Sequence, residues 1–162
     1  MVDGKTMNKK TKDLILEIIK FFIYSFMIYL FLYHFEAYLT NLVAYQSYLL
    51  LMPFTDAYLV QNTIFLPNIS LLVLEPCTGV TSISIILGFV LLIEKKLKYY
   101  IFGSCFCVLL IYFGNIVRIV IIGILANYFG NGNYIHNAIS FVCSPVLAVI
   151  TILIWSKLRK RL

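Results

Sequence analysis

The chain has 162 residues, of which 62% are hydrophobic and only 12% charged, with a net charge of +6. A soluble domain is typically about 45–50% apolar and about 25% charged, which argues against a water-soluble enzyme or a disordered chain. The basic residues are also misplaced for a nucleic-acid surface. Lys5, Lys9, Lys10, Lys12 and Lys20 form one cluster, Lys95, Lys96 and Lys98 a second, and Lys157, Arg159, Lys160 and Arg161 a third, while Arg118 stands alone in an apolar run.

A spanning helix needs roughly 20 apolar residues. Four segments qualify, which predicts an all-α polytopic membrane protein built as one domain. A basic N-terminus, residues 1–13, precedes the first span over 14–33. Glu17 and Lys20 interrupt that span early and no small-residue cleavage site follows it, unlike a signal peptide. Residues 34–76 form an extracytoplasmic or interfacial insertion. Within it, residues 38–52 are apolar but carry Asn41 and Gln46, which predicts a helix lying at the interface. Residues 57–66 and 69–74 flank Pro67-Asn68, a turn pair, which predicts a small β-hairpin. The alternative is two more short spans, six in all. The second span covers 77–93, the third 99–128 and the fourth 137–156, ahead of a basic tail at 157–162.

Basic residues favour the cytoplasmic side. Four crossings put all three clusters there at once, with both termini cytoplasmic in a plasma membrane. No Lys or Arg lies between Phe21 and Ile93, whereas Glu36, Asp56 and Glu75 are acidic. Tyr99, Tyr100 and Trp155 sit beside cytoplasmic clusters, where amphipathic rings favour the interface.

Four cysteines are present, with no zinc-type spacing to histidines. Cys105 and Cys107 point about 200° apart on a helix and read as small buried residues. Cys143 reads the same way. Cys77 differs, because Glu75-Pro76-Cys77-Thr78-Gly79 opens the second span. Proline suits a helix start, and the free N–H groups of a first turn favour a thiolate. No metal or organic cofactor is implied.

The basic clusters serve as rulers of depth. Cys77 lies 18 residues from Lys95, Arg118 lies 20 from Lys98, and His136 lies 21 from Lys157. At about 1.5 Å per residue these are roughly 27, 30 and 32 Å. A Cys, an Arg and a His therefore share one layer near the outer face. An intramembrane arginine is costly and marks a functional site by default. The competing reading pairs Arg118 with Glu75 merely to fix helix packing. Asn115, one turn before Arg118, shares its face. Residues 119–128 would project beyond this layer, so the third span is tilted, kinked near Gly114 or capped by an outer subdomain. His34 could compete with His136 as a base, but reads as a snorkelling polar tip.

Cys77-Thr78-Gly79 at a helix start, then Asn115-Ile116-Val117-Arg118, then His136 at the last span, resembles the exosortase/archaeosortase family. The resemblance covers about residue 48 to the C-terminus. Many members are longer, with about eight helices, and bacterial ones usually have Ser after the Cys, so this chain looks like a short, archaeal-like member. The resemblance implies a membrane cysteine protease/transpeptidase. It would cleave membrane-anchored substrate proteins at a C-terminal sorting signal, made of a short motif, a transmembrane helix and a basic cluster. Cleavage would occur on the outer side through a thioester acyl-enzyme, with transfer to a lipid or surface acceptor. Cys77 would be the nucleophile, His136 the proton carrier and Arg118 the oxyanion or carbonyl partner. Asn115, Thr78 and Glu75 are candidates for binding or orientation. Two rivals are a small membrane transporter using Arg118 as an anion site and a non-catalytic membrane assembly factor. Neither needs Cys77.

Overall fold

Long apolar runs without internal proline form long helices. In the computed structural model, which describes residues 9–160, α1 (Lys9–Tyr33) and α5 (Leu97–Phe129) are runs of this kind. The last helix, α6 (Gly132–Arg159), continues through Pro145. Lys5 in the first basic cluster and Arg161 in the third lie outside the described residues. Among the described residues three segments are long and apolar enough to cross a membrane, namely Lys10–Tyr33, Leu97–Phe129 and Tyr134–Arg159. Many large apolar side chains of α1 and α6 face outward, including Phe22, Phe31, Phe141 and Leu153, a surface suited to lipid rather than water.

The segment expected to be the second span is divided. α3 (Glu75–Thr78) is a single turn, Gly79 follows at φ 78°, and α4 (Val80–Ile93) has 14 residues. α4 alone rises roughly 21 Å, short of a core about 30 Å thick. A helix does form over the stretch expected to carry one, as α2 (Glu36–Leu51).

The expected hairpin gains a strand. β1 (Tyr58–Val60), β2 (Thr63–Phe65) and β3 (Ser70–Leu72) form an antiparallel sheet in the order β1-β2-β3. Strands thus occupy the stretch where the six-span alternative needs helices. The added turn is Gln61-Asn62, with Gln61 at φ 55°. Asn62 closes it by donating from Nδ2 to the Val73 carbonyl at 2.8 Å and accepting from the Val73 N–H at 2.9 Å. Tyr58 and Phe65, directly opposed, stack with ring centroids 4.9 Å apart.

The overhang of the expected third span is capped, one of the three outcomes anticipated above. α5 is one continuous helix of 33 residues, or roughly 50 Å. Its far end carries the sheet. The Asn68 N–H donates to Asn127 Oδ1 at 3.0 Å, and Asn68 Nδ2 donates to the Asn127 carbonyl at 2.8 Å. Between sheet, α2 and α5 lies one core, with Val43, Leu51, Ile64, Val73, Ile116 and Ile119. A second core joins α4, α5 and α6 through Ile83, Ile86, Val90, Cys107, Ile111 and Trp155. α1 packs on α4 where Gly88 meets Ser25 so closely that a Cβ at Gly88 would strike the serine, a small-residue contact typical of membrane helices.

Trp155 departs from the expected interfacial role. It is 4% exposed, packs on Gly103, and donates from Nε1 to Glu94 Oε1 at 3.2 Å. Glu94 also pairs with Arg159 Nε at 3.2 Å. This clasp joins α4 to α6 at the end of the bundle remote from the sheet. Glu94→Ala leaves the buried indole N–H unmet and should lower stability by about 1–3 kcal/mol. Arg159→Ala removes a partner whose side chain is 44% exposed and should cost no more than about 1 kcal/mol. Thermal unfolding in detergent micelles compares the two, and an equal loss for both would contradict this ranking.

Candidate active site

The break at Gly79 creates the site. Pro76 sits in the first turn of α3, where its missing N–H costs nothing. The Cys77 N–H donates to the Leu74 carbonyl at 2.9 Å. Thr78 Oγ1 donates to the Glu75 carbonyl at 2.7 Å and accepts from the Val80 N–H at 3.4 Å. The turn is thus tied internally, with Cys77 and Thr78 both buried. This corrects one expectation. Cys77 does not lie in the first turn of a continuous span but one turn before α4. Its own N–H is committed, and four residues are too few for a macrodipole of useful size.

A cavity of about 520 Å³ opens beside this turn, lined in part by Cys77, Arg118 and His136. Three distant stretches of sequence therefore converge on one hollow, walled by residues 69–74, the α3 turn, α5 and the first turns of α6. His136 is exposed, and its Nδ1 lies 3.5 Å from Asn137 Oδ1. Among the described residues no hydrogen bond joins Cys77 to His136; such bonds often tighten only once substrate is bound. His34, the other histidine, does not line this cavity. Its ring stands edge-on to Phe35.

Arg118 is 7% exposed. Its Nη1 donates to Ser144 Oγ at 2.6 Å and its Nη2 to the Pro76 carbonyl at 3.4 Å, while Nε has no partner among the described residues. The second bond reaches the residue next to Cys77. Glu75 is not the counter-ion. Its carboxylate accepts from Thr81 Oγ1 at 3.4 Å, and the ion pair found among the described residues is Arg159–Glu94. Pairing of Arg118 with Glu75 is therefore set aside. Thr78 spends its hydroxyl on the turn and lies outside the cavity lining. Asn115 is 3% exposed, and its Nδ2 has no partner among the described residues. It packs directly on Gly79, behind the cavity.

Ser144 is the residue that sequence reasoning missed as a partner for Arg118. Ser144-Pro145 inside a helix was the available signal, because a proline there disturbs the ladder and small polar residues gather at such points. The other cysteines have no place in the cavity. Cys105 is exposed, and Cys107 is buried in the second core. Cys143 lines a separate apolar groove of about 250 Å³ between α5 and α6, which also reaches Asn115 and Arg118. No cluster of metal-ligating side chains occurs among the described residues.

Comparison with known proteins gives a consistent picture. A family model described as transmembrane exosortase matches residues 9–155. A probable archaeosortase E of Methanocaldococcus jannaschii is 37% identical over 143 residues, covering 86% of this chain and 77% of that protein. No solved structure matches.

The left-handed Gly79 and its contact with Asn115 yield a test. A Cβ at Gly79 would collide with Asn115 Nδ2, and a non-glycine residue at this φ costs about 1–2 kcal/mol in addition. Gly79→Ala should therefore lower the thermal midpoint and alter the rate at which a maleimide labels Cys77. An unchanged midpoint together with an unchanged labelling rate would show that the break tolerates a side chain.

Proposed function

Since the chain belongs to the transmembrane exosortase and archaeosortase family, we propose that it is a membrane cysteine protease/transpeptidase acting on C-terminal sorting signals of secreted proteins. The observation that carries this reading is the single cavity lined by Cys77, Arg118 and His136. A nucleophile, a proton carrier and a cation on one hollow form the set that acyl transfer requires.

In the proposed mechanism Cys77 Sγ attacks the scissile carbonyl carbon as its proton passes to His136. Arg118 stabilises the oxygen on which negative charge develops. Its buried, unpartnered Nε–H is a donor not already spent on the protein. Collapse of the adduct breaks the C–N bond, and His136 returns the proton to the leaving amine. The product is a thioester on Cys77, which water or an acceptor nucleophile then opens. Ser144 and the Pro76 carbonyl hold the guanidinium. Asn115 supports the Gly79 break, and Thr78 and Glu75 maintain the Cys77 turn through the backbone and hydroxyl bonds described above.

The proposed topology has both termini in the cytoplasm. α1, the α3–α4 segment, α5 and α6 make four crossings, and the sheet and cavity lie on the outer side. The basic clusters beside Lys20, Lys95 and Lys157 favour this orientation. The substrate's own tail, an apolar helix ended by basic residues, would lie alongside with the same polarity.

Co-expression with a secreted carrier bearing a tripartite tail tests the chemistry. Cys77→Ala should abolish loss of the tail, while Cys105→Ala and Cys107→Ala retain it. Arg118→Ala should slow it by roughly 10²–10³-fold, and Ser144→Ala by about tenfold. Undiminished processing by Cys77→Ala would sink the enzyme reading and favour a non-catalytic assembly factor. A second experiment addresses orientation. In a variant whose only cysteine is Cys77, a membrane-impermeant maleimide added outside intact cells should label it. Labelling only from the cytoplasmic side would invert the topology.

A further inference from the structure

β3 ends the sheet, and its free edge is unusual. Six consecutive residues, from Ile69 to Leu74, line the cavity that holds Cys77. Side chains along a strand alternate between two faces. A cavity lying over one face of the sheet would touch every second residue. Contact with all six means that the cavity lies along the edge.

The register identifies the backbone groups on that edge. The Leu66 N–H donates to the Ile69 carbonyl at 2.8 Å, and the Val73 N–H donates to the Asn62 carbonyl at 2.9 Å. Ile64 faces Leu71 in the same ladder. In an antiparallel pair the bonded positions recur every second residue, so Ile69, Leu71 and Val73 direct their N–H and C=O groups at β2. Ser70 and Leu72 direct theirs the other way. No other backbone or side-chain group among the described residues bonds to the N–H or C=O of Ser70 or Leu72. Exposed edges are normally blunted by lysine, proline or a bulge. This one reads Ile-Ser-Leu-Leu-Val-Leu, without charge or proline. Across the cavity from it lie Arg118, Ile119 and Ile122 of α5 and Gly132 and His136 of α6.

We propose that the substrate's cleavage motif binds as an added strand on the free edge of β3. The Ser70 and Leu72 N–H and C=O groups grip its backbone and lead the scissile peptide to Cys77. The inference rests on the protease reading and deepens it by naming how the motif is held. The occupant is an extended segment, because only an extended backbone presents donors and acceptors at the spacing of a strand edge. The edge runs on through Leu74 into the Glu75–Thr78 turn. A segment paired along Ile69–Leu74, roughly 20 Å at 3.3 Å per residue, therefore points towards the nucleophile. Affinity comes from main-chain bonds, so sequence preference must come from the alternate side chains that face Arg118 and α5.

The probe is a synthetic peptide of a tripartite tail that the wild-type chain shortens in the co-expression assay. Each of about six residues before the scissile bond is N-methylated singly, and kcat/KM is measured with the wild-type chain in detergent. Strand addition predicts losses of about tenfold at every second position and little change between them. Uniform tolerance, or loss only at the scissile bond, overturns the proposal. On the enzyme side, Leu72→Pro deletes an edge N–H and leaves the β2 ladder intact. It should lower kcat/KM about tenfold further than Leu72→Ala, which trims the side chain but keeps the N–H. Equal rates for the two overturn the proposal. If Leu72→Pro does not fold, the methylation series on the wild-type chain still decides. Failure of the protease reading shows separately, as cutting of the unmethylated peptide by Cys77→Ala. Amide hydrogen exchange in that variant with the peptide present then decides the edge: slowed exchange at Ser70 and Leu72 supports strand addition, and unchanged exchange refutes it.

Discussion

A guanidinium buried in an apolar helix bundle organises this molecule. Its five N–H donors need acceptors inside the fold. Arg118 on α5 finds one on α6, the Ser144 hydroxyl, and one on the α3 turn, the Pro76 carbonyl. Those contacts tie together the helix that carries His136 and the turn that carries Cys77. One desolvated charge thereby fixes the relative position of three segments that are far apart in sequence. Neither acceptor is a carboxylate. A carboxylate would neutralise the cation and leave less of its field for an oxyanion. Neutral acceptors hold the side chain and leave the charge.

The second constraint is geometric. α5 runs roughly 50 Å, well past the thickness of a hydrocarbon core of about 30 Å. Its outer turns would be an exposed apolar rod if nothing covered them. The sheet covers them, held by the paired Asn68–Asn127 bonds and by Ile64 and Val73 in the outer core. The overhang and the sheet thus explain each other. Together with the α3 turn they bound the hollow that Arg118 reaches from below.

Much of this was legible in the sequence because it is written in composition and spacing. Basic clusters mark span ends, and a solitary arginine stands out against an apolar background. Residue counts from the clusters put Cys77, Arg118 and His136 in one layer, and in the structure the three line one cavity. The parts that escaped have physical reasons. A lone glycine in a helical pattern is usually tolerated, so Gly79 gave no warning of a break; that break depends on Asn115 packing where a Cβ would sit. Three-residue strands are too short for a period to register, which hid β1. Side-chain partners depend on rotamers and on neighbours distant in sequence. Glu75, adjacent to Pro76 along the chain, therefore turned towards Thr81, while Ser144, 26 residues from Arg118, became its partner.

Buried polar groups around the site are left unmet by the fold. Arg118 Nε and Asn115 Nδ2 are both buried without a partner among the described residues. Leaving a buried donor unmet costs about 1–3 kcal/mol each, and more when charged. The edge of β3 adds main-chain groups that face a cavity rather than a neighbouring strand. A fold selected for stability alone would have met these needs with one more acceptor or one more strand. Arg118 and the β3 edge line one hollow with Cys77, and Asn115 packs behind it on Gly79. In the proposed reading a peptide carbonyl would supply an acceptor for the cation and an extended backbone a partner for the edge. Such interactions would raise the rate to the extent that they are stronger in the transition state than in the ground state.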